Sequence, residues 1–372
     1  MKQGALKLFS SVLVALALHS PAADARGPRG TFTPQYKLTQ LGPLDPDRRF
    51  FAVDLNNRGE LSGSVGTPSR AAIWRKGRII ELVDPTVGPV LVSQAWGLND
   101  RGDVVGETLP LSDLMTRPFF WRRGEFIDIG LPFAGAQGFA RDINNRRQII
   151  LNSGSESGVA LSYLWERGTF TALNPPPGGD GSAIANALND FGEIAGAGST
   201  AAGIRALLWR DATVEALGVL PNTDESRAED INNGGDVVGV SYQTTEFGNE
   251  LAFVWRDGEM EALPTLFGAE GQLTQARSIN VWGQIVGHEA NVADPQAQQP
   301  RLWQRGRVHD LNELVRQNDP LKPFVRLRAA TVINDLGQIH ASGEDSRVPD
   351  VRFAYLLTPV SGRRVSDSAM PE

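Results

Sequence analysis

The sequence contains no cysteine. Disulfide frameworks, thiolate-held zinc and iron–sulfur clusters are therefore excluded, and an exported form cannot be a lipoprotein. Histidine is scarce, with four among 372 residues. His288, His309 and His340 fall in no His-Glu-x-x-His or comparable metal spacing. No Gly-x-Ser-x-Gly elbow occurs, because Gly154-Ser155-Glu156-Ser157-Gly158 holds its serines in the wrong register. A phosphate loop is absent, and so is the Asp-x-Asp-x-Asp-Gly spacing of a calcium loop. With a net charge of −7 and no strongly basic stretch, nucleic acid is not an expected partner.

Long apolar runs are nearly absent too. The one present, at residues 8–18, is about eleven residues, against the roughly 20 that span a bilayer. Lys2 and Lys7 precede it and Ala23-Asp24-Ala25 follows, which reads as a cleaved export signal at 1–25 with a short leader at 26–35. A secreted or periplasmic location without a membrane span is expected.

Glycine and proline are plentiful, 40 and 23, and spread along the chain, as many short strands joined by turns require. One block, Ala-x-x-(Leu/Ile)-Asn-x-x-Gly-x-(Val/Ile)-x-Gly, recurs seven times, with its Asn at 56, 99, 144, 189, 232, 280 and 334. In the third copy Arg147 replaces the turn glycine found at Gly59 and its equivalents. A second block follows the first six copies: apolar residues, a Trp (Trp74, Trp121, Trp165, Trp209, Trp255, Trp303), two mostly charged residues and usually Gly. Each unit thus holds four strand-like runs, at 228–231, 236–240, 251–255 and 260–263 in the fifth. Asn-Asn-Gly-Gly and Arg-Asp-Gly between them are tight-hairpin chemistry.

The seventh copy ends at residue 360 without a fourth strand, and residues 36–42 match the missing one. The expected fold is therefore all-β: a seven-bladed β-propeller of four-stranded antiparallel blades over 36–360. The N-terminal strand would close the last blade, and a flexible tail would follow at 361–372. An open β-solenoid is the alternative, and it would need no exchange between the termini.

These blocks resemble the bacterial extracellular HAF-repeat proteins, whose units run Ile-Asn-x-x-Gly-x-(Ile/Val)-x-Gly and then Ala-Phe-(Leu/Val)-Trp. Leu251-Ala252-Phe253-Val254-Trp255 is the nearest copy of the second motif, and residues 310–312, 333–339 and 354–360 are similar to the family's C-terminal ending. The name-giving His is absent from every copy. The resemblance implies an extracellular location and a repeat architecture, and it brings no particular activity.

Columns identical in every copy are read as structural. The Ala column (Ala52, Ala95, Ala140, Ala185, Ala228, Ala276, Ala330) suits crowded inner strands, the Trp column supplies apolar area between units, and the Asn column caps the following turn. The short turns share one face, and the long connections, such as 109–116, 175–182, 289–300 and 314–324, share the other. That long-loop face is the expected binding face. It carries Asp45, Asp47, Asp224, Glu225, Glu289, Asp294, Glu344 and Asp345. Arg75, Arg122, Arg167, Arg210, Arg256 and Arg305 follow the Trp column on the short-turn face, where a ring of Arg could meet an acidic polysaccharide; Glu166, Asp211 and Asp257 interrupt it.

One inner column varies: Val53, Trp96, Arg141, Asn186, Glu229, Arg277 and Thr331. Facing the channel, Arg141, Glu229, Arg277 and Trp96 would form a central ligand site; salt bridges between units are the other reading. No catalytic residue, metal site or cofactor is assigned. The expected function is non-enzymatic binding, by a monomer, of a glycan, envelope component or protein. The alternative is an exported glycosidase or lyase using acids at the channel mouth.

Overall fold

The computed structural model describes residues 34–84, 88–154, 156–245, 249–267 and 272–360. The expected export signal and the tail at 361–372 lie outside the described residues. Among the described residues are 28 strands and one short helix, Leu311–Leu314. The strands form five four-stranded sheets and one of eight, in which two antiparallel sets meet through a single parallel pair, Glu250 with Leu273. The chain is all-β and built from four-stranded antiparallel sets.

The first set shows why each forms. Phe50–Leu55, Leu61–Val65, Arg70–Arg75 and Arg78–Glu81 pair in sequence order. Between the first two, Asn56 Oδ1 accepts from the amides of Arg58 and Glu60, both at 3.0 Å. Gly59 there takes φ +72, a conformation that suits glycine. In the third set Arg147 adopts φ +65 at the equivalent place, held by an ion pair of 2.7 Å to Asp103.

The termini exchange a strand as the repeat count predicts. Gln35–Gln40 lies antiparallel to Val348–Val360, with Leu38 opposite Leu357, and forms the outer edge of the last sheet. Asp319 secures it by accepting from the Leu38 amide at 2.9 Å.

Among the described residues the core is divided into seven apolar clusters, each between consecutive sets. Trp74, for example, shares one cluster with Phe50 and Leu55 of its own set and with Leu41, Ala354 and Leu356 of the last sheet. Trp255 likewise joins Ala206 and Leu208 of the preceding set. The Trp column therefore does the packing that its recurrence implies, with Trp121 and Trp165 less completely covered than the rest.

Two expectations about loops change. Residues 289–300 form no open loop: Ile285–Asn291 and Asp294–Gln304 extend into a long hairpin with a tight turn. Glu289 is consequently not a surface acid, being fully buried 2.7 Å from the buried Arg301 guanidinium. Asp345 is buried as well, against Arg347 and the Tyr355 hydroxyl.

Candidate functional site

The inner strands of the seven sets are Phe50–Leu55, Val90–Leu98, Phe139–Ile143, Ala183–Leu188, Glu225–Ile231, Gln272–Ile279 and Val325–Ile333. Every one breaks register immediately after its Ala. The residue skipped at each bulge is Val53, Trp96, Arg141, Asn186, Glu229, Arg277 or Thr331. A bulge bends the strand and re-aims one side chain. All seven of these residues line one cavity of about 280 Å³. In the fifth set the repeat's last glycine lies close against the bulged strand: a Cβ on Gly239 would lie 2.1 Å from the Arg227 carbonyl oxygen.

The four candidate residues, Arg141, Glu229, Arg277 and Trp96, thus meet around this cavity. Glu229 accepts from Arg227 Nε at 2.9 Å and pairs with Arg277 Nη1 at 3.2 Å. Arg141 differs. Its guanidinium lies 5.6 Å from the Trp96 ring centre, and among the described residues it makes no hydrogen bond or ion pair. Trp96 is steadied by its indole N–H donating to Glu107 at 3.2 Å and by Phe139, 5.9 Å away between centroids. Asn186 donates to the Ala228 carbonyl at 2.7 Å, and the Thr331 hydroxyl meets His340 Nδ1 at 2.6 Å.

Below this mouth stand three carboxylates that the column reading passed over: Asp54, Asp142 and Asp230. Each accepts from the next amide of its own strand and from an amide of the following inner strand, Leu98, Leu188 or Ile279, at 2.8–2.9 Å. Burial lifts all three pKa values, and the mutual repulsion of Asp54 and Asp142 raises the former further. Asp230 is pushed up to about 7. Their signal was the sequence Ala-x-Asp-(Leu/Ile)-Asn in the first, third and fifth repeats.

The same three acids floor a cavity of about 180 Å³ at the short-turn end. Around it, each repeat Asn donates from Nδ2 to the carbonyl of the next: Asn56 to Asn99, and so on to Asn334, which returns to Asn56. The following residues alternate as Asn57, Asp100, Asn145, Asp190, Asn233 and Asp335, with carboxamide donating to carboxylate. Seven places cannot alternate two types without one clash of like neighbours. Val281 takes the seventh and removes that clash.

Half of the Arg column on this face is neutralised by close ion pairs. Arg75, Arg210 and Arg256 bridge to Glu60, Glu193 and Asp236 at 2.5, 2.6 and 3.1 Å. Among the described residues, no cluster of three or more His, Asp or Glu side chains is placed to hold a metal ion. No described helix is long and apolar enough to cross a membrane.

No family model matches the sequence, and no curated protein matches it. Solved structures do. An oligogalacturonate lyase from Vibrio parahaemolyticus aligns over 88% of this chain and 97% of its own, with TM-score 0.53 and 10% identity. The YCF48 protein bound to D1 peptide aligns over 92% and 99%, with TM-score 0.51 and 13% identity. At such identities the likeness concerns the fold alone: this chain is similar to β-propeller proteins, some of them enzymes and some binding proteins.

Proposed function

We propose that the chain is an exported seven-bladed propeller of the HAF-repeat kind that binds a carboxylate-bearing saccharide at the long-loop mouth of its channel. The blade count is supported by the seven Asn side chains that close head to tail and by the seven apolar clusters between consecutive sets. Export is supported by the basic residues, apolar run and small-residue site at the N-terminus. N-terminal sequencing of protein recovered outside the cytoplasm tests it, with a start near Arg26 expected.

The observation that carries the ligand class is Arg141. This guanidinium makes no hydrogen bond or ion pair among the described residues, with only the charge of the neighbouring Asp142 acting on it. Lying over an indole in a cavity wall, it is suited to take a carboxylate in a planar fork. Arg277, three sets further round the same cavity and paired with Glu229, adds a second positive charge to it. Trp96 offers a flat apolar face for a sugar ring, and Asn186 of the set after that of Arg141 and Thr331 of the last set add polar atoms to the lining. Glu229 is occupied by two guanidinium groups and the channel aspartates by backbone amides, so their carboxylates act in positioning, which favours binding over glycoside cleavage.

Titration calorimetry with D-galacturonic acid against D-galactose decides the question. The acid is expected to bind at least about tenfold more tightly, a difference of roughly 1.4 kcal/mol, and Arg141→Ala is expected to erase the preference. Equal binding of both sugars, or an unchanged preference in the variant, overturns the reading. Release of product from a polyuronide would install the lyase reading instead.

A further inference from the structure

Beside the channel mouth lies a second cavity of about 300 Å³, lined by Glu107, Thr116, Gln137, Phe139, Asn152 and Ile184, among others. It runs across three consecutive sets and adjoins the mouth at two places. Trp96, a wall of the mouth, contacts the cleft's Phe139 and donates to the cleft's Glu107. Ile184 of the cleft and Asn186 of the mouth lie two residues apart on one inner strand.

The cleft's wall is mostly carbon, with a half-buried aromatic ring and few polar atoms. Two of those polar groups have spare capacity. Glu107 Oε1 receives the Trp96 indole, while Oε2 has no partner among the described residues. Gln137 Oε1 accepts from the Thr116 amide at 3.4 Å, while its Nε2 has none among them. An aromatic platform flanked by one acceptor and one carboxamide donor is suited to a pyranose ring, which presents apolar C–H faces and hydroxyl edges. Gly138 holds the cleft's inner edge close to its neighbour, since a Cβ there would sit 2.5 Å from the Asn152 carbonyl oxygen.

We infer that this cleft is a second sugar subsite, taking the residue adjoining the acidic sugar at Arg141, so that the ligand is an oligosaccharide rather than a free monosaccharide. The inference rests on the reading of the mouth given above. Burial raises the pKa of the Glu107 carboxyl, against the pull of the Trp96 hydrogen bond.

The test is calorimetry on the whole protein with galacturonic acid and its α-1,4-linked dimer and trimer. The dimer or trimer is expected to bind about tenfold or more tightly than the monomer. Phe139→Ala, which removes the platform, and Thr116→Trp, which fills the cleft from its loop side, are each expected to abolish that gain. If Phe139→Ala fails to fold, the wild-type series and Thr116→Trp still decide. A monomer that binds as tightly as the trimer overturns the subsite and leaves the mouth reading standing. A gain that survives both substitutions also overturns the subsite. If neither monomer nor oligomer binds, the reading at Arg141 falls and the subsite falls with it.

Discussion

The Asn334 side chain donates to the main-chain carbonyl of Asn56 at 2.9 Å, across 278 residues of chain. This bond closes the belt that runs through all seven repeat asparagines, so each Asn serves two purposes. Its Oδ1 shapes its own turn and its Nδ2 ties the turn to the next.

Asn232→Ala should therefore damage more than one turn. It removes the acceptor for the Gly234 and Asp236 amides and the donor to the Asn280 carbonyl, at 2.9, 3.0 and 3.1 Å. With buried groups left unsatisfied, the expected loss is about 2–4 kcal/mol in urea unfolding. Asn233→Ala, one residue on, loses the acceptor for the Asp190 amide at 2.9 Å and the donor to its carboxylate at 3.3 Å, both at an exposed place where water can replace them, and should lose about 1 kcal/mol or less. Equal effects at the two sites would refute the belt as a source of stability.

The bulges make a second prediction. Gly239→Ala sets a methyl group against the Arg227 carbonyl in the inner strand that presents Glu229. Leu151 and Ala341 stand at the same register in other sets, which carry the bulge as well, so the fold is expected to accept a side chain here through a shift of the strand. The expected loss is about 1–3 kcal/mol. The shift should also disturb the Glu229–Arg277 pair, and acid-sugar affinity should weaken alongside stability.

Much of this arrangement was legible in the sequence because the units share identical needs. The Asn turns and Trp packing recur in place, and the strand missing after residue 360 is found at residue 36. The direction of the variable column was not legible. In a strand covered on both faces, alternation carries no phase, and the bulge that sets the phase leaves no residue type of its own. Asp54, Asp142 and Asp230 occur only in alternate repeats, so identity across every copy does not single them out. Glu289 was misread because 289–300 is rich in Gln, Asn and Pro, a loop-like composition, while its partner Arg301 stands across a hairpin that this composition concealed.

The channel acids make the pH dependence specific. A carboxyl whose pKa is higher folded than unfolded binds extra protons in the folded state, so its stabilising contribution is lost as pH rises. For Asp230 the window runs from about 4, the unfolded value, to about 7. His288 and His340, each held down to about 4 by burial, work in the opposite sense between about 4 and 6.5, where stability rises with pH. The two effects oppose each other in the wild type, and a difference between variants separates them. Asp230→Asn keeps an acceptor for one of the two amides and abolishes the titration. Its urea midpoint relative to wild type should climb steadily from pH 4.5 to pH 7.5. Asp142→Asn should do the same and should also lower the pKa of Asp54 by removing the neighbouring charge, which carboxyl NMR titration would read directly. A midpoint difference that stays flat across this range would mean that the three acids titrate as ordinary surface carboxylates and that the channel is open to bulk water.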